Sequence, residues 1–285
     1  MFRNRLTLTV CSVLTFSLSG CDPEVRREGL GGGALTPVKV TLLREAKEGE
    51  AGAASESTAG PKITEFGTVT GRISVDGALP TLPSLLAQGQ ATKDLVCSEK
   101  KIENQTVVGT DGGLGNVFIY LRRVPNVDVP APSEEQLIVD QQGCTFVPHA
   151  QVFQVGQPVL LKNSDSVAHN VKLNAQANSF AATVPPKNAG DVNYKFQFAE
   201  QKPFFTSCDF HGWMSAYMLP VDHPWATVSK LDGTFEIPNV PAGEMEFVIW
   251  HEKLNYIERA FKVTVPANGE AEPINITVNA SKLSG

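Results

Sequence analysis

The sequence predicts an all-β protein, and three of its features indicate this class. Short apolar runs that alternate with polar residues recur along the chain, and 24 Gly and 19 Pro residues punctuate its 285 positions. A sustained 3.6-residue periodicity, the mark of amphipathic helices, is absent from the sequence. Hydrophobic residues make up 42% and charged residues 19%, which supplies one or two packed cores and excludes disorder along the whole chain.

The first twenty residues predict an export signal. Arg3 and Arg5 give a basic start, and the apolar run Leu6–Leu18 that follows is too short to cross a bilayer comfortably. The residues Leu-Ser-Gly-Cys21 resemble the bacterial lipobox, and that resemblance implies cleavage before Cys21 and lipidation of this cysteine. The alternatives are an ordinary signal peptide cut at the same small residues, or a short anchor helix.

Residues 21–65 predict a flexible tether between this lipid and a folded head. The runs Gly29–Ala34 and Glu48–Pro61 are small, polar and low in complexity, so they cannot bury enough apolar surface to offset chain entropy. We therefore expect an exported protein, anchored by lipid to a membrane and facing the periplasm, or held at the cell surface.

From Phe66 onward, turn residues separate predicted strands. The turn Asp76-Gly77 ends the first strand, and further turns lie at residues 111–113 and at Gly156. A short helix near Pro83–Ala91 is the one helical segment that we expect in this part. Strands are predicted over Thr68–Val75, Asn116–Leu121, around Phe146, over Gln151–Val155 and over Val192–Phe198. Their spacing favours a sandwich or a barrel.

Three potential metal ligands lie within seven residues of one another. Cys208, His211 and Met214 offer a thiolate, an imidazole and a thioether, and His169 follows a predicted strand and loop upstream. One thiolate, two imidazoles and a weak axial thioether form the ligand set of a mononuclear copper site that transfers electrons. The pattern therefore predicts one bound copper ion.

The same residues resemble the cupredoxins. The first half of that pattern is Phe146-Val-Pro, Val155-Gly-Gln-Pro-Val, Asn163-Ser-Asp and His169-Asn-Val, and the second half is Ser-Cys208-Asp-Phe-His211. The resemblance covers roughly residues 137–221. It implies a Greek-key sandwich and electron exchange with a redox protein partner, without catalytic turnover. It also implies that Asn170 braces the ligand loop through hydrogen bonds.

The axial ligand departs from the plastocyanin-like pattern. In those proteins the methionine lies five residues after the histidine, where this chain has Ala216. Met214 comes three residues after His211, and Met218 comes seven residues after it. The shorter spacing also resembles the binuclear copper domain of cytochrome oxidase, but that domain needs two cysteines four apart, and residue 204 is Phe. We therefore expect Met214 as the axial ligand, with Met218 as the alternative.

The remaining cysteines and histidines leave several interpretations open. In an exported protein Cys97 and Cys144 can form a disulfide, which leaves Cys208 as a single thiol for the metal to hold. Cys208 could instead be an ordinary buried thiol beside structural histidines. Cys144 and His149 could form part of a second site. Two further residues, His223 and His251, have aromatic neighbours in sequence, which is typical of packing, and receive no assigned role.

The C-terminal part carries a second resemblance. The stretch Ser229–Ile249 resembles the carboxypeptidase-regulatory-like sandwich of the transthyretin type. Residues 221–285 are short for a complete copy, so strands from residues 66–121 are expected to complete it, beside a cupredoxin-like domain over residues 66–220. Taken together, the chain resembles exported bacterial proteins labelled methylamine-utilisation-like. That label implies no amine metabolism here, and fold analogy alone assigns no ligand to the second sandwich.

The predicted function is that of a membrane-tethered copper protein that carries single electrons, not an enzyme. Two alternatives remain, namely a surface adhesion or carbohydrate-associated module whose cysteines and histidines are structural, and a copper storage or delivery protein. The net charge of −6 argues against a general nucleic-acid binder, so we expect no nucleic-acid partner. The sequence contains no P-loop, Rossmann fingerprint or hydrolase triad pattern.

Overall fold

The computed structural model describes residues 60–284. The predicted signal peptide, the predicted lipidation site Cys21 and the predicted tether up to residue 59 lie outside the described residues. Among residues 60–284, no helix has the length and hydropathy that a membrane crossing requires.

The described chain is almost entirely β, which confirms the predicted fold class. Its only α-helix among residues 60–284 is α1 (Leu95–Ser98). The strands are β1 (Phe66–Asp76), β2 (Phe118–Leu121), β3 (Leu137–Gln142), β4 (Thr145–Val147), β5 (Ala150–Gln154), β6 (Pro158–Asn163), β7 (His169–Leu173), β8 (Phe180–Val184), β9 (Val192–Lys195), β10 (Phe204–Ser207), β11 (Ser215–Val221), β12 (Ala226–Val228), β13 (Thr234–Pro241), β14 (Gly243–His251), β15 (Asn255–Val265) and β16 (Ile274–Asn279). Two short 3₁₀ turns, Pro186–Asn188 and Ala280–Lys282, complete the regular structure.

Strands from both ends of the described chain form one sandwich, here called the terminal sandwich. One of its sheets has the order β13-β1-β16, and the other has the order β12-β2-β14-β15. The inner faces bury alternate residues of each strand, such as Ile73 of β1, Ile119 of β2 and Phe247 of β14, in one apolar core. The two N-terminal strands therefore pair with C-terminal strands and not with the strands that follow them directly.

The strands between β2 and β12 form a second sandwich, here called the central sandwich. Its larger sheet has the order β5-β11-β10-β7-β8, and its smaller sheet has the order β4-β3-β6-β9. Phe146, Phe153 and Phe196 are buried between the two sheets, together with Cys208 and Met214. The central sandwich thus inserts into the sequence of the terminal sandwich and carries the predicted metal ligands.

The two sandwiches share an apolar seam. Strand β14 buries both of its faces: Phe247 and Ile249 point into the terminal core, whereas Val248 and Trp250 pack with Leu219 of β11. Continuous burial on both faces explains why this strand reads as an apolar run and not as an alternation. The seam orients the ligand-bearing sheet against the terminal sandwich.

Residues 79–105, here called the strap, run between β1 and β2. The helix predicted near Pro83–Ala91 does not form there, because Leu86 pairs in an extended bridge with Ile102 and is buried beside the Cys97–Cys144 disulfide. The single helical turn lies farther along, in α1. The disulfide fixes the strap to the hairpin that joins β3 and β4.

Candidate metal centre

The structure brings three of the predicted ligands together. His169 opens β7, Cys208 directly follows β10, and His211 lies in the loop that leads to β11. The Nδ1 atoms of His169 and His211 are 2.9 Å apart, and the Sγ atom of Cys208 is 3.7 Å from Nδ1 of His211. One potential ligand atom from each residue lies within 4.8 Å of the other two, and all three side chains are buried. This is the spacing of one ion's ligands.

Two carboxylates hold the outer nitrogens of the imidazoles. Nε2 of His169 lies 3.0 Å from Oδ2 of Asp165, and Nε2 of His211 lies 2.6 Å from Oδ2 of Asp94. Because a carboxylate oxygen accepts hydrogen bonds, each Nε2 carries the proton, and each Nδ1 presents a lone pair toward the space that the two rings share with the thiol. A carboxylate that fixes the tautomer of an imidazole in this way is typical of metal-binding histidines.

The two inward nitrogens require a cation between them. Lone pairs that face each other at 2.9 Å repel unless a proton or a metal ion lies between them. In the metal-free protein a proton can take this role: burial lowers the pKa of His169, but its contacts with Asp165 and Cys208 outweigh burial and raise it overall. Ligand atoms that share one ion at about 2.0–2.3 Å lie about 3–4 Å apart, so these residues fit a bound metal.

The surroundings of Cys208 favour the ionised form of its thiol. Burial raises its pKa, but hydrogen bonds involving His169 and the backbone N–H groups of Asn170, Phe210 and His211 outweigh burial and lower it overall. The N–H of Asn170 lies 3.4 Å from Sγ. A buried thiolate next to two imidazoles is a soft donor set, which suits Cu(I) as well as Cu(II).

The side chain of Asn170 links the two halves of the site. Its Nδ2 donates to Asp209 at 3.0 Å, and its Oδ1 accepts from the N–H of Asp209 at 2.5 Å. Asn170 follows His169, and Asp209 follows Cys208, so these hydrogen bonds hold the strand of one ligand against the loop of the other. The sequence resemblance implies a bracing role for Asn170, and these are the contacts that would serve it.

The loop geometry favours Met214 over Met218 as a neighbour of the thiol. The N–H of Met214 donates to the carbonyl of His211 at 2.9 Å, and its own carbonyl accepts from the N–H of Cys208 at 3.2 Å. Met218 lies farther along β11, opposite Phe204. Both methionines are buried in the core of the central sandwich, but only Met214 lies in the loop between β10 and β11 that contains Cys208 and His211.

Two backbone N–H groups donate hydrogen bonds to the carboxylate of Asp165. Gly143 and Cys144 have φ values of +69° and +60°, the conformation of a two-residue hairpin turn between β3 and β4. Their N–H groups donate to Oδ1 and Oδ2 of Asp165 at 2.8 and 2.7 Å. Burial raises the pKa of Asp165, but His169 and these two N–H groups outweigh burial and lower it overall, so the carboxylate stays ionised.

The other two cysteines of the described residues are paired with each other. Cys97 and Cys144 form a disulfide, and Cys208 is the one free cysteine among residues 60–284. Cys144, Asp165 and His169 also lie within 4.8 Å of one another, but the sulfur of Cys144 is bonded to Cys97 and is no thiolate. His149 does not join Cys144 in a second site, because its Nε2 lies 2.5 Å from Oε1 of Glu252 instead.

The other two histidines lie away from the metal centre. Nε2 of His223 donates to the carbonyl of Leu121 at 3.1 Å, and its Nδ1 accepts from the N–H of Trp225, so this buried imidazole has a structural role. His251 ends β14 at the seam and is fully buried.

Sequence reasoning did not identify the two supporting carboxylates. Asp165 was visible only as part of the Asn163-Ser-Asp pattern, in which Oδ1 of Asn163 accepts from the N–H of Asp165 at 3.0 Å. Asp94 lies 117 residues before His211, and no local pattern connects them. The predicted Cys97–Cys144 disulfide was the one sequence feature that pointed to this contact, because it brings the strap close to the hairpin of β3 and β4.

Comparisons with known proteins add a weak likeness. No family model matches the chain, and no curated protein matches it in sequence. Among solved structures, amicyanin from Paracoccus versutus (Thiobacillus versutus) is similar at 17% identity over 33% of this chain and 86% of its own, with a TM-score of 0.27. A reduced amicyanin variant and a Cu(I) form of another variant each match at 18% identity over 33% of this chain and 97% of theirs, with TM-scores of 0.27 and 0.26. At these values the chain is similar to amicyanin in part of its length, and this likeness by itself assigns no function.

Proposed function

We propose that this protein is a cupredoxin-like electron carrier with one copper ion. The observation that supports the proposal most directly is the convergence of three buried ligand atoms, the thiol of Cys208 and the two Nδ1 atoms of His169 and His211. Both nitrogens present lone pairs because carboxylates hold the opposite sides of the rings. Met214 is the proposed axial ligand and Met218 the alternative.

A bound copper ion would supply a one-electron couple between Cu(I) and Cu(II). The protein's own residues keep the ligands fixed in both states. Asp165 and Asp94 orient the imidazoles, the N–H of Asn170 donates to the sulfur, and the strands of the central sandwich limit movement. Because the ligand atoms are preorganised, little structural rearrangement accompanies the change of charge.

The burial of the site supports electron transfer over catalysis on a substrate. The exposed fractions of His169, Cys208 and His211 are 0%, 2% and 1%, so a substrate has no direct access to the proposed ion, whereas an electron does not need such access. In this proposal the lipidated Cys21 and residues 21–65 hold the protein at a membrane in the periplasm or at the cell surface. A redox protein is its partner.

A copper titration tests the proposal. The full chain, purified in detergent, is titrated with Cu(II) and followed by visible absorption, EPR and voltammetry. We expect one equivalent of copper, an intense thiolate-to-copper band and a reversible couple, all lost in Cys208→Ser because the soft donor is gone. Met214→Leu should shift the band and the potential, whereas the matched variant Met218→Leu should leave both unchanged.

Two other results would point elsewhere. Tight Cu(I) binding without a reversible couple would favour storage or delivery of copper. Weak copper binding that persists in Cys208→Ser would contradict the proposal and favour a β-sandwich binding module.

A further inference from the structure

Asp94 occupies a capping position but does not use it. It is the N-cap residue of α1, a position where Asp commonly accepts a hydrogen bond from the first turn of the helix. Within the described chain its carboxylate makes no such bond, and Oδ2 instead accepts from Nε2 of His211 at 2.6 Å. A local interaction is thus given up for a contact with a residue far along the sequence.

The strap that carries Asp94 is fastened to both ligand loops. Three residues after Asp94, Cys97 forms the disulfide with Cys144, and Leu86 and Ile102 pack around this cross-link. Val167, from the loop before His169, and Trp213, from the loop after His211, pack against the same cluster. The indole N–H of Trp213 also donates to the carbonyl of Cys144 at 3.1 Å.

One cross-link therefore joins the supports of both imidazoles. The N–H of Cys144 donates to Asp165, which holds His169, while Cys97 lies in the helix whose N-cap, Asp94, holds His211. Asp165 belongs to the central sandwich, whereas Asp94 lies in the strap, outside that sandwich. His211 is the ligand whose orientation depends on the strap.

We propose that Asp94 is a positioning residue for His211, and that the disulfide-anchored strap is a latch that slows loss of the metal. The inference rests on the proposed function and adds how the site retains its ion. Without an acceptor at Nε2, the ring of His211 still packs against Trp213 and His169, at 5.1 and 4.7 Å between ring centroids, but no contact holds its proton on Nε2. Its second tautomer then places a proton on Nδ1. In that tautomer Nδ1 has no lone pair for the ion.

Matched variants of the full chain separate positioning from general effects on the strap. Copper is loaded as Cu(I), and its transfer to excess bicinchoninate is timed. We expect Asp94→Ala to lose copper about 10- to 100-fold faster, because removal of such supporting groups commonly weakens metal binding by that factor. Asp94→Asn keeps an oxygen acceptor and should remain close to wild type. Glu99→Ala removes an exposed carboxylate next to the end of the same helix and should have no effect.

Removal of the Cys97–Cys144 disulfide provides a second test of the latch. Cys97→Ala combined with Cys144→Ala should lose copper faster, as Asp94→Ala does. Adding Asp94→Ala to this double variant should accelerate the loss of copper little further, because both changes remove the same support of His211. Fully additive effects would contradict the latch.

A copper-free readout keeps the two proposals separate. Nitrogen NMR of the His211 ring in the metal-free protein should show the Nε2–H tautomer in wild type and Asp94→Asn, and a mixture of tautomers in Asp94→Ala. If wild type binds no copper, the proposed function fails while this readout still tests the role of Asp94. If Asp94→Ala matches Glu99→Ala in both tautomer and copper release, or if Asp94→Asn behaves as Asp94→Ala does, the positioning role is wrong.

Discussion

At the candidate metal centre, the buried imidazoles of His169 and His211 each have a carboxylate on one side and the thiol of Cys208 within 4.8 Å on the other. At the seam between the sandwiches, His149, His251 and Glu252 form a second buried group, here called the seam cluster. In it Nε2 of His149 lies 2.5 Å from Glu252, whereas Nε2 of His251 has no well-formed hydrogen bond within residues 60–284. Both groups remove imidazoles from water, but the pKa of His169 in the first group is raised, whereas that of His251 in the second is lowered.

The difference lies in what surrounds each ring. Contacts with Asp165 and Cys208 raise the pKa of His169 despite its burial, so this site favours a cation between its nitrogens. Burial lowers the pKa of His251 to about 4, so the seam cluster keeps that imidazole neutral. Burial alone thus identifies no metal site, and the arrangement of carboxylates and the thiol decides which buried histidines are candidates for ligands.

The largest effect is expected from Asp165→Ala at the metal centre. The variant leaves the N–H groups of Gly143 and Cys144 and the Nε2–H of His169 without their acceptor, which should cost about 3 kcal/mol or more of unfolding free energy. Copper affinity should fall about 10- to 100-fold. Urea unfolding and copper competition measure the two effects. Asp140→Ala is the control, since Asp140 accepts from Ser164 but contacts neither imidazole, and it should leave copper affinity unchanged.

The next effect concerns the acid stability that His251 controls. Its pKa is about 4 in the fold, against an ordinary value of 6.5, so the unfolded chain binds the extra proton between these values. The contribution of His251 to stability is therefore full above pH 6.5 and falls as the pH drops toward 4. The difference, at 1.36 kcal/mol per pKa unit, amounts to about 3 kcal/mol. Urea unfolding at several pH values should show this loss in wild type and a flatter slope in His251→Phe. Parallel slopes in the two proteins would contradict the assignment.

The smallest effect is expected from Glu252→Gln in the seam cluster. Gln retains an oxygen acceptor for Nε2 of His149 but loses the charge, so we expect a loss of about 1 kcal/mol of unfolding free energy. Glu246→Gln is the matched control because its partner, Arg122, lies about one third exposed, where ion pairs contribute little. Equal losses in the two variants would show that burial adds nothing to the pair at the seam.

The sequence predicted the elements that depend on local pattern. The alternation in Thr68–Val75 and the turn after it correspond to β1, and the motifs around His169 and Cys208 lie at strand ends that meet. It did not predict that Asp94 reaches His211, because no local pattern connects two residues 117 positions apart. Glu252 likewise gave no sign that it pairs with His149 across the seam. Contacts of this kind depend on how sheets pack, which period and turn chemistry do not encode.

The pairing of β1 has a consequence for the order of folding. Strand β1 pairs with β13 and β16, and β2 pairs with β12 and β14. Neither β1 nor β2 can therefore pair before the strands that begin after residue 225 are present. The sheets of the central sandwich need no strand outside β3–β11 and can close earlier. Until β12, β13, β14 and β16 are present, β1 and β2 lack their pairing partners, and non-local pairing of this kind is slow. Losing the last strand, β16, would leave one edge of β1 permanently unpaired, so a chain truncated before residue 274 should be recognisable to proteases.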